Sequence, residues 1–271
     1  MPAIRRLTGF SGHAFIDGVQ TLITSGNINE EVNPSYVNFV DIGRDNIQRS
    51  RVLYAPGTKI ITGSINFDVY APMLAVLSTS RLFRRGYTFT VQLFDGNQGK
   101  QATNCYASSI SLSGSVGGLL TASINFSSKE FGPTGHVQTY SPGGDVYLSP
   151  ATTLSFGYWF SGRTDMQVKD WSLSFNQAIT PVYLNQIDDL DTTVPRYLKV
   201  GVIDASLSLT TYTDPLALPS PPNSIAVATS TFSIVGSRTS VGYSFSPTEI
   251  GTFQHQFNSA AVTLPNETIF S

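Results

Sequence analysis

Small polar and apolar residues alternate with a period of two through most of this chain, and that pattern leaves few choices of fold. Ser109-Ile110-Ser111-Leu112-Ser113, Ser123-Ile124-Asn125-Phe126, Trp171-Ser172-Leu173-Ser174-Phe175 and Ala205-Ser206-Leu207-Ser208-Leu209 all carry it. Between Tyr87 and Phe94 the same phase puts Tyr87, Phe89, Val91 and Leu93 on one side. Such a strand buries one face and wets the other, so the pattern predicts an all-β chain with antiparallel sheets. Composition agrees: Ser (33) and Thr (28) dominate the 271 residues beside 23 Gly and 15 Pro, which starves helices and feeds strands and turns. One short helix is expected over 71–85, where Pro72 suits the first turn and Leu74, Leu77 and Leu82 recur at helical spacing. Arg81, Arg84 and Arg85 would then meet the negative end of its dipole, and Gly86 would stop it.

The chain also resembles itself. Ile28-Asn-Glu-Glu-Val32-Asn-Pro34-Ser-Tyr36-Val-Asn38 lies over Phe175-Asn-Gln-Ala-Ile179-Thr-Pro181-Val-Tyr183-Leu-Asn185 at an offset of 147, with Asp41 falling on Asp188. At an offset of 144, Gly57 falls on Gly201, with Ile61, Ile65 and Phe67 in phase with Ala205, Leu209 and Thr211. At an offset of 133, Ile110, Leu112, Gly118, Leu120 and Ile124 lie over Tyr243, Phe245, Gly251, Phe253 and Phe257. Shared alternation alone would not repeat Pro-x-Tyr-x-Asn, and three blocks in one order predict an internal duplication. The expected domains are 1–140 and 141–271, with a turn-rich seam from Gly132 to Pro150. They differ in charge: 11 Lys+Arg against 8 Asp+Glu give the first +3, and 5 against 10 give the second −5. Unlike charges on like domains favour pairing of unlike halves between subunits. The second domain is expected to lack the helix, because Pro215, Pro219, Pro221 and Pro222 fall in its counterpart, 214–223.

No arrangement of residues points to catalysis, so no enzyme activity, catalytic residue, metal or cofactor is expected. Gly9-Phe-Ser-Gly12 lacks the five-residue nucleophile turn, and the single Cys105 falls in a strand pattern, where it suits a small buried hydrophobe. His13, His136 and His255 are far apart and are expected to be surface or hydrogen-bonded histidines. Asp188, Asp189 and Asp191 lack the alternating ligands and Gly of a calcium loop. Gly114-Ser-Val-Gly-Gly118 sits between alternating stretches and reads as a hairpin tip. Five lysines and a net charge of −2 exclude a basic nucleic-acid wrapper. No apolar run is expected to span a membrane, and the beginning of the chain does not read as a secretory leader.

The order of elements carries a resemblance. A strand through Ile28–Val32 is followed by a long loop from Asp41 to Pro56, a strand from Lys59 to Tyr70, a helix, a strand, and the hairpin Ser109-Ile-Ser-Leu-Ser-Gly114 to Thr121-Ala-Ser-Ile-Asn-Phe-Ser127. This layout resembles the tail tube proteins of long-tailed bacteriophages, in the branch whose subunits hold two tube domains and form trimeric rings with pseudo-sixfold symmetry. The resemblance implies two tandem β-barrel or sandwich domains, the first keeping a packed helix. It also implies a structural virion protein that assembles into stacked rings through which DNA passes without specific binding.

The partners implied are further copies of the chain and other phage tail proteins: baseplate, terminator, and tape measure in the lumen. The place implied is the virion tail, assembled in the bacterial host cytoplasm. Arg44, Arg49, Arg51 and Tyr54 in the first loop, with Asp188, Asp189, Asp191, Arg196 and Tyr197 in its shorter counterpart, are the candidate contacts between subunits or stacked rings. One alternative keeps the fold but makes the chain a baseplate hub or tube initiator. Another is a carbohydrate-binding β-sandwich, suggested by Trp159, Trp171 and 12 Tyr.

Overall fold

The computed structural model describes residues 13–42, 48–69, 88–95, 98–115, 118–134, 148–149, 159–160, 168–183, 193–212, 224–228, 233–264 and 267–268. Nearly all of them are strand, and no helix occurs among them. The helix expected over 71–85 and the proline-rich 214–223 lie outside the described residues.

In chain order the strands are β1 (His13–Ile16), β2 (Val19–Ile42), β3 (Gln48–Asp68), β4 (Phe89–Phe94), β5 (Gly99–Ser115), β6 (Gly118–Leu119), β7 (Thr121–Ser128) and β8 (Glu130–Pro133). There follow β9 (Leu148–Ser149), β10 (Trp159–Phe160), β11 (Val168–Val182), β12 (Tyr197–Thr211), β13 (Ser224–Ala228), β14 (Ser233–Ser246), β15 (Glu249–Leu264) and β16 (Glu267–Thr268). All but β6 and β9 belong to one 14-stranded sheet whose pairings are antiparallel.

The first half is wired by β5. One edge of this strand takes β7 and β8, while the other takes β4 along its first part and β11 along its second. The pairings β5–β4, β4–β1, β1–β2, β2–β3, β3–β7 and β7–β5 run in a circuit that returns to β5. Its strands carry Ile16, Ile65, Phe67, Phe89, Val91, Cys105, Ile124 and Phe126, each at most 2% exposed and all in one core cluster. At Asp17-Gly18 the chain turns from β1 into β2 with positive φ at both residues (50° and 78°), and the Asp17 carboxylate accepts from the Thr90 amide at 2.9 Å.

The second half continues the sheet through β11, β12, β15 and β14. Ile110 of β5 stands opposite Phe175 of β11, and Leu112 opposite Leu173. These four are buried together with Ala205, Leu207, Leu209 and Phe257, so a single apolar layer crosses from one half to the other.

Several expectations need correction. Of the loop expected from Asp41 to Pro56, the described residues 41–42 and 48–56 are strand: β2 and β3 pair from Leu22–Asp68 to Ile42–Gln48 with two register shifts. Period two was hidden there by Asn33-Pro34 and Pro56-Gly57, which mark a register shift within the hairpin rather than its end. A Cβ on Gly57 would collide with the Asn33 carbonyl, so the close approach at this shift needs glycine. Beyond Glu31 and Ile60 the described hairpin pairs with no other strand, and its 12-residue reach corresponds to an arm about 40 Å long. Gly132 and Pro133 belong to β8 rather than to a turn. In β4, Phe89, Val91 and Leu93 keep the expected phase, Leu93 partly buried against the core cluster, while Phe94 is buried on the other side against the His13 and Phe15 rings.

Candidate functional site

Because side chains alternate, the face opposite the apolar layer is fixed by the same residues that fix the core. Three rows of aligned partners cross it. The first is Asn27, Ser64, Asn125, Ser109, Asn176 and Asp204 on β2, β3, β7, β5, β11 and β12. The second is Ser25, Asn66, Ser123, Ser111, Ser174, Ser206, Asn258 and Ser237, reaching β15 and β14. The third is Asp68, Thr121, Ser113, Ser172, Ser208, Gln256 and Ser240. The face therefore spans eight neighbouring strands and both halves of the chain.

These rows hold no Lys or Arg, and their only charges are Asp68 and Asp204. Short polar groups bond across the strands. Asn27 Oδ1 accepts from the Ser64 amide at 3.0 Å, and Asn66 Nδ2 donates to Ser25 Oγ at 2.7 Å. Asn125 Nδ2 donates to Ser109 Oγ at 2.7 Å, and Gln256 Nε2 to Ser208 Oγ at 2.8 Å. Ser113 and Thr121 share a hydroxyl bond of 2.8 Å. Such cross-strand pairs hold the side chains against the sheet and leave a surface of hydroxyls and amides. Burial raises the Asp68 carboxyl above its usual range, and nothing positive faces it in its row.

The candidate contact residues divide. Arg49, Arg51 and Tyr54 lie on β3 opposite Asp41, Phe39 and Tyr36 in the outer part of the arm, where the backbone alone is described. Arg44, Asp188, Asp189 and Asp191 lie outside the described residues. Arg196 is exposed and Tyr197 is 49% exposed at the start of β12. The structure brings this segment to the base of the arm: the Lys59 amide donates to the Thr193 carbonyl at 2.7 Å, and Tyr183 Oη donates to the Lys59 carbonyl at 3.1 Å. Lys59 Nζ also meets Glu30 at 3.5 Å.

Cys105 is fully buried, its Sγ donates to the Ala102 carbonyl at 3.3 Å, and burial pushes its thiol up to about 12. His255 is hydrogen-bonded, but in the core rather than at the surface. It is 1% exposed, its Nε2 lies 3.2 Å from Thr211 Oγ1, and its Nδ1 has no hydrogen-bond partner among the described residues. Burial, and then the Arg238 charge, hold the imidazole below its ordinary value. His136 lies outside the described residues. Among the described residues no three His, Cys, Asp or Glu gather to hold a metal ion. Trp171 packs against the core cluster rather than standing out as a platform.

Sequence reasoning named loops as the contacts and expected a wet face of Ser and Thr on the strands, without the residues that line it. The signal for it was present as Ser-x-Ser and Asn-x-Ser spacing, but only the register aligns those residues across eight strands. Compared with known proteins, the chain matches no family model and no curated sequence.

Proposed function

We propose that this chain is a tail tube subunit of a long-tailed bacteriophage, a structural protein whose copies close into stacked rings around a conduit for DNA. The observation that carries the reading is the continuous, nearly uncharged face of Ser, Thr, Asn and Gln across β2, β3, β7, β5, β11, β12, β15 and β14. A wall past which a polyanion slides must not hold phosphates, and each Lys or Arg contact adds salt-dependent grip. It must also stay wet, so that no apolar patch retains the passing chain. Hydroxyls and amides with a few aspartates, Asp68, Asp170 and Asp204 among them, meet both demands.

The wiring supports an internal duplication. In the first half β2 pairs β3, β3 pairs β7, and β7 pairs β5; in the second β11 pairs β12, β12 pairs β15, and β15 pairs β14. Ile124 stands opposite both Ile65 and Ile110, and His255 stands opposite both Leu209 and Val241. The counterpart of Ile124 by register is thus His255, two residues before the Phe257 expected from sequence, a difference that keeps every face unchanged. Both first hairpins shift register, one between Asn33 and Ser35, the other between Gln177 and Ile179. On this reading the circuit of the first half is a six-stranded barrel, and each half contributes four strands to the wall.

Three copies would supply 24 strands. At about 4.8 Å between strands they give a wall roughly 115 Å around and about 37 Å across before strand tilt widens it. That leaves room for a duplex once short side chains are subtracted. The arm formed by β2 and β3 suits contact between rings, with Arg49, Arg51 and Tyr54 along it and Arg196 and Tyr197 near its base.

Electron microscopy of the purified protein is the test. Stacked rings with a central channel, and many copies per virion, are expected. A strictly monomeric chain absent from virions would remove the proposal, and a single ring per virion would move the chain to the tail tip as a hub.

A further inference from the structure

The eight-stranded face ends in two strand edges that pair with nothing among the described residues. One is the stretch of β14 from Arg238 to Ser246, which pairs only with β15 because β13 covers only Ser233–Ser237. The other is the stretch of β2 beyond Thr21, which pairs only with β3 because β1 covers only Val19–Thr21. A long free edge joins another strand unless something blunts it, and neither stretch carries a proline or a run of charge before Glu30.

Both edges bear apolar groups on the core side of the sheet. Along β14, Val241, Tyr243 and Phe245 are 47%, 62% and 66% exposed, and Ile250 beside them is 76% exposed. Tyr243 is nevertheless held in place: its ring lies across Gly251 and 4.9 Å from the Phe253 ring. Along β2 an open groove of about 390 Å³ is lined on its apolar side by Ile23, Gly26, Ile28, Leu93 and Phe94, with His13, Asn27, Asp95, Gln98 and Lys100 around them. One edge offers side chains and the other offers a place for them.

The chain already contains a junction of this kind. The first half ends on β5, which pairs with β11 of the second half, Ile110 opposite Phe175 and Ser109 opposite Asn176. By the wiring above, β14 corresponds to β5 and β2 to β11. We infer that β14 of one copy pairs antiparallel with β2 of a second copy, repeating between chains the β5–β11 junction within the chain. Carrying the β5–β11 register across by the wiring correspondence places Val241 opposite Glu30, Tyr243 opposite Ile28 and Phe245 opposite Gly26. Carrying it across by the sequence offsets of 133 and 147 gives the same register. Tyr243 and Phe245 then face the groove, and Phe245 meets the Ile23 and Leu93 side chains that close over Gly26. Ser244 meets Asn27 on the polar face and extends its first row into the next copy.

Direction and charge agree with this pairing. Every neighbour within the eight strands is antiparallel, so in a ring with cyclic symmetry β14 and the next copy's β2 also run antiparallel. The contact joins the half with net charge −5 to the half with +3. It is heterologous, and its closure removes both edges at once.

The inference rests on the ring of like subunits proposed above, and the experiment separates the two. The full chain with Ser244→Cys and Asn27→Cys is oxidised with copper–phenanthroline, and a second form carries Ser244→Cys with Glu31→Cys, four residues out of register. Covalent dimers and trimers from the first form, with at least tenfold less from the second, are expected. Rings seen by microscopy without cross-linking of the first form would overturn this edge pairing and leave the tube reading standing. Cross-linked rings that never stack and are absent from virions would uphold the pairing and overturn the tube. Monomers alone would overturn both. Phe245→Lys, at an exposed position the monomer does not need, should weaken association at least about tenfold while the circular dichroism of the β-sheet is unchanged; unchanged association would overturn the placement of Phe245 in the groove.

Discussion

The hairpins β5–β7 and β14–β15 occupy matching places in the two halves and show the same alternation, yet Ile110 and Leu112 of β5 are 5% and 7% exposed while Val241, Tyr243 and Phe245 of β14 are 47%, 62% and 66% exposed. The alternation decides which way each side chain points, and it does so equally well in both. Burial needs a second layer. In the first hairpin β4 and β1 close over the apolar face; in the second no described strand does, and the apolar row runs out to a free edge. Among the described residues the apolar face of the first hairpin is covered, and that of the second is not.

The largest effect expected from this difference lies in the core. Ile124 is fully buried, and Ile124→Ala should cost about 2–5 kcal/mol, the lost transfer energy plus a cavity. Val241→Ala removes the half-exposed neighbour of the matching position and should cost less than about 0.5 kcal/mol in the monomer. Urea unfolding of the two variants checks it; equal losses would mean that the second hairpin is covered after all.

Glycines sharpen the contrast at a smaller scale. A Cβ at Gly63 would run into the Phe126 ring and close on the Asn27 carbonyl at 2.6 Å, so Gly63→Ala should cost about 1–3 kcal/mol as an overpacked core does. Gly242 on β14 has nothing within 4 Å of that point, and Gly242→Ala should be neutral or stabilise by about 0.4–1 kcal/mol through the unfolded chain. Thermal unfolding would show the opposite signs.

Much of this comparison was legible in the residues. The phases of Ile110, Leu112, Ile124, Phe126, Leu173, Phe175, Leu207 and Leu209 all follow from period two, because an antiparallel strand with one buried face writes its orientation into neighbouring positions. What period two cannot contain is pairing between distant strands. Nothing local says that Ser109 lies beside Asn176, so the polar face and the two free edges emerge only from register. The arm was misread for a related reason: Asn33-Pro34 and Pro56-Gly57 look like ends of strands, and only their positions opposite one another turn them into a shift within a hairpin.

His255 is where the core of the second half is weakest. It stands in the place of Ile124, buried, with Nδ1 unpartnered among the described residues and its ring stacked on Phe257 at 6.3 Å between centroids. Its folded value lies below the ordinary 6.5, with Arg238 as the facing charge. The unfolded chain therefore binds the proton more readily. The stability this site contributes is present above pH 6.5 and is lost as the pH falls toward the folded value. His255→Phe should remove that dependence, so wild type and variant should diverge in urea midpoint between pH 7.5 and pH 5. Parallel curves would show that the folded imidazole takes up its proton as readily as the unfolded one.

The smallest effect tests the other side of the same sheet, where the halves ought not to differ. Asn125–Ser109 in the first hairpin and Gln256–Ser208 beside the second are both exposed cross-strand bonds, 2.7 and 2.8 Å long. Water replaces such a bond almost as well as it is made, so Asn125→Ala and Gln256→Ala should each cost no more than about 0.5 kcal/mol. Their near equality, set against the several kcal/mol separating Ile124→Ala from Val241→Ala, would locate the asymmetry of the molecule in its apolar layer. Were Gln256→Ala the costlier by more than 1 kcal/mol in urea, the polar face would be unequal as well, and the notion of one even wall built from both halves would lose its basis.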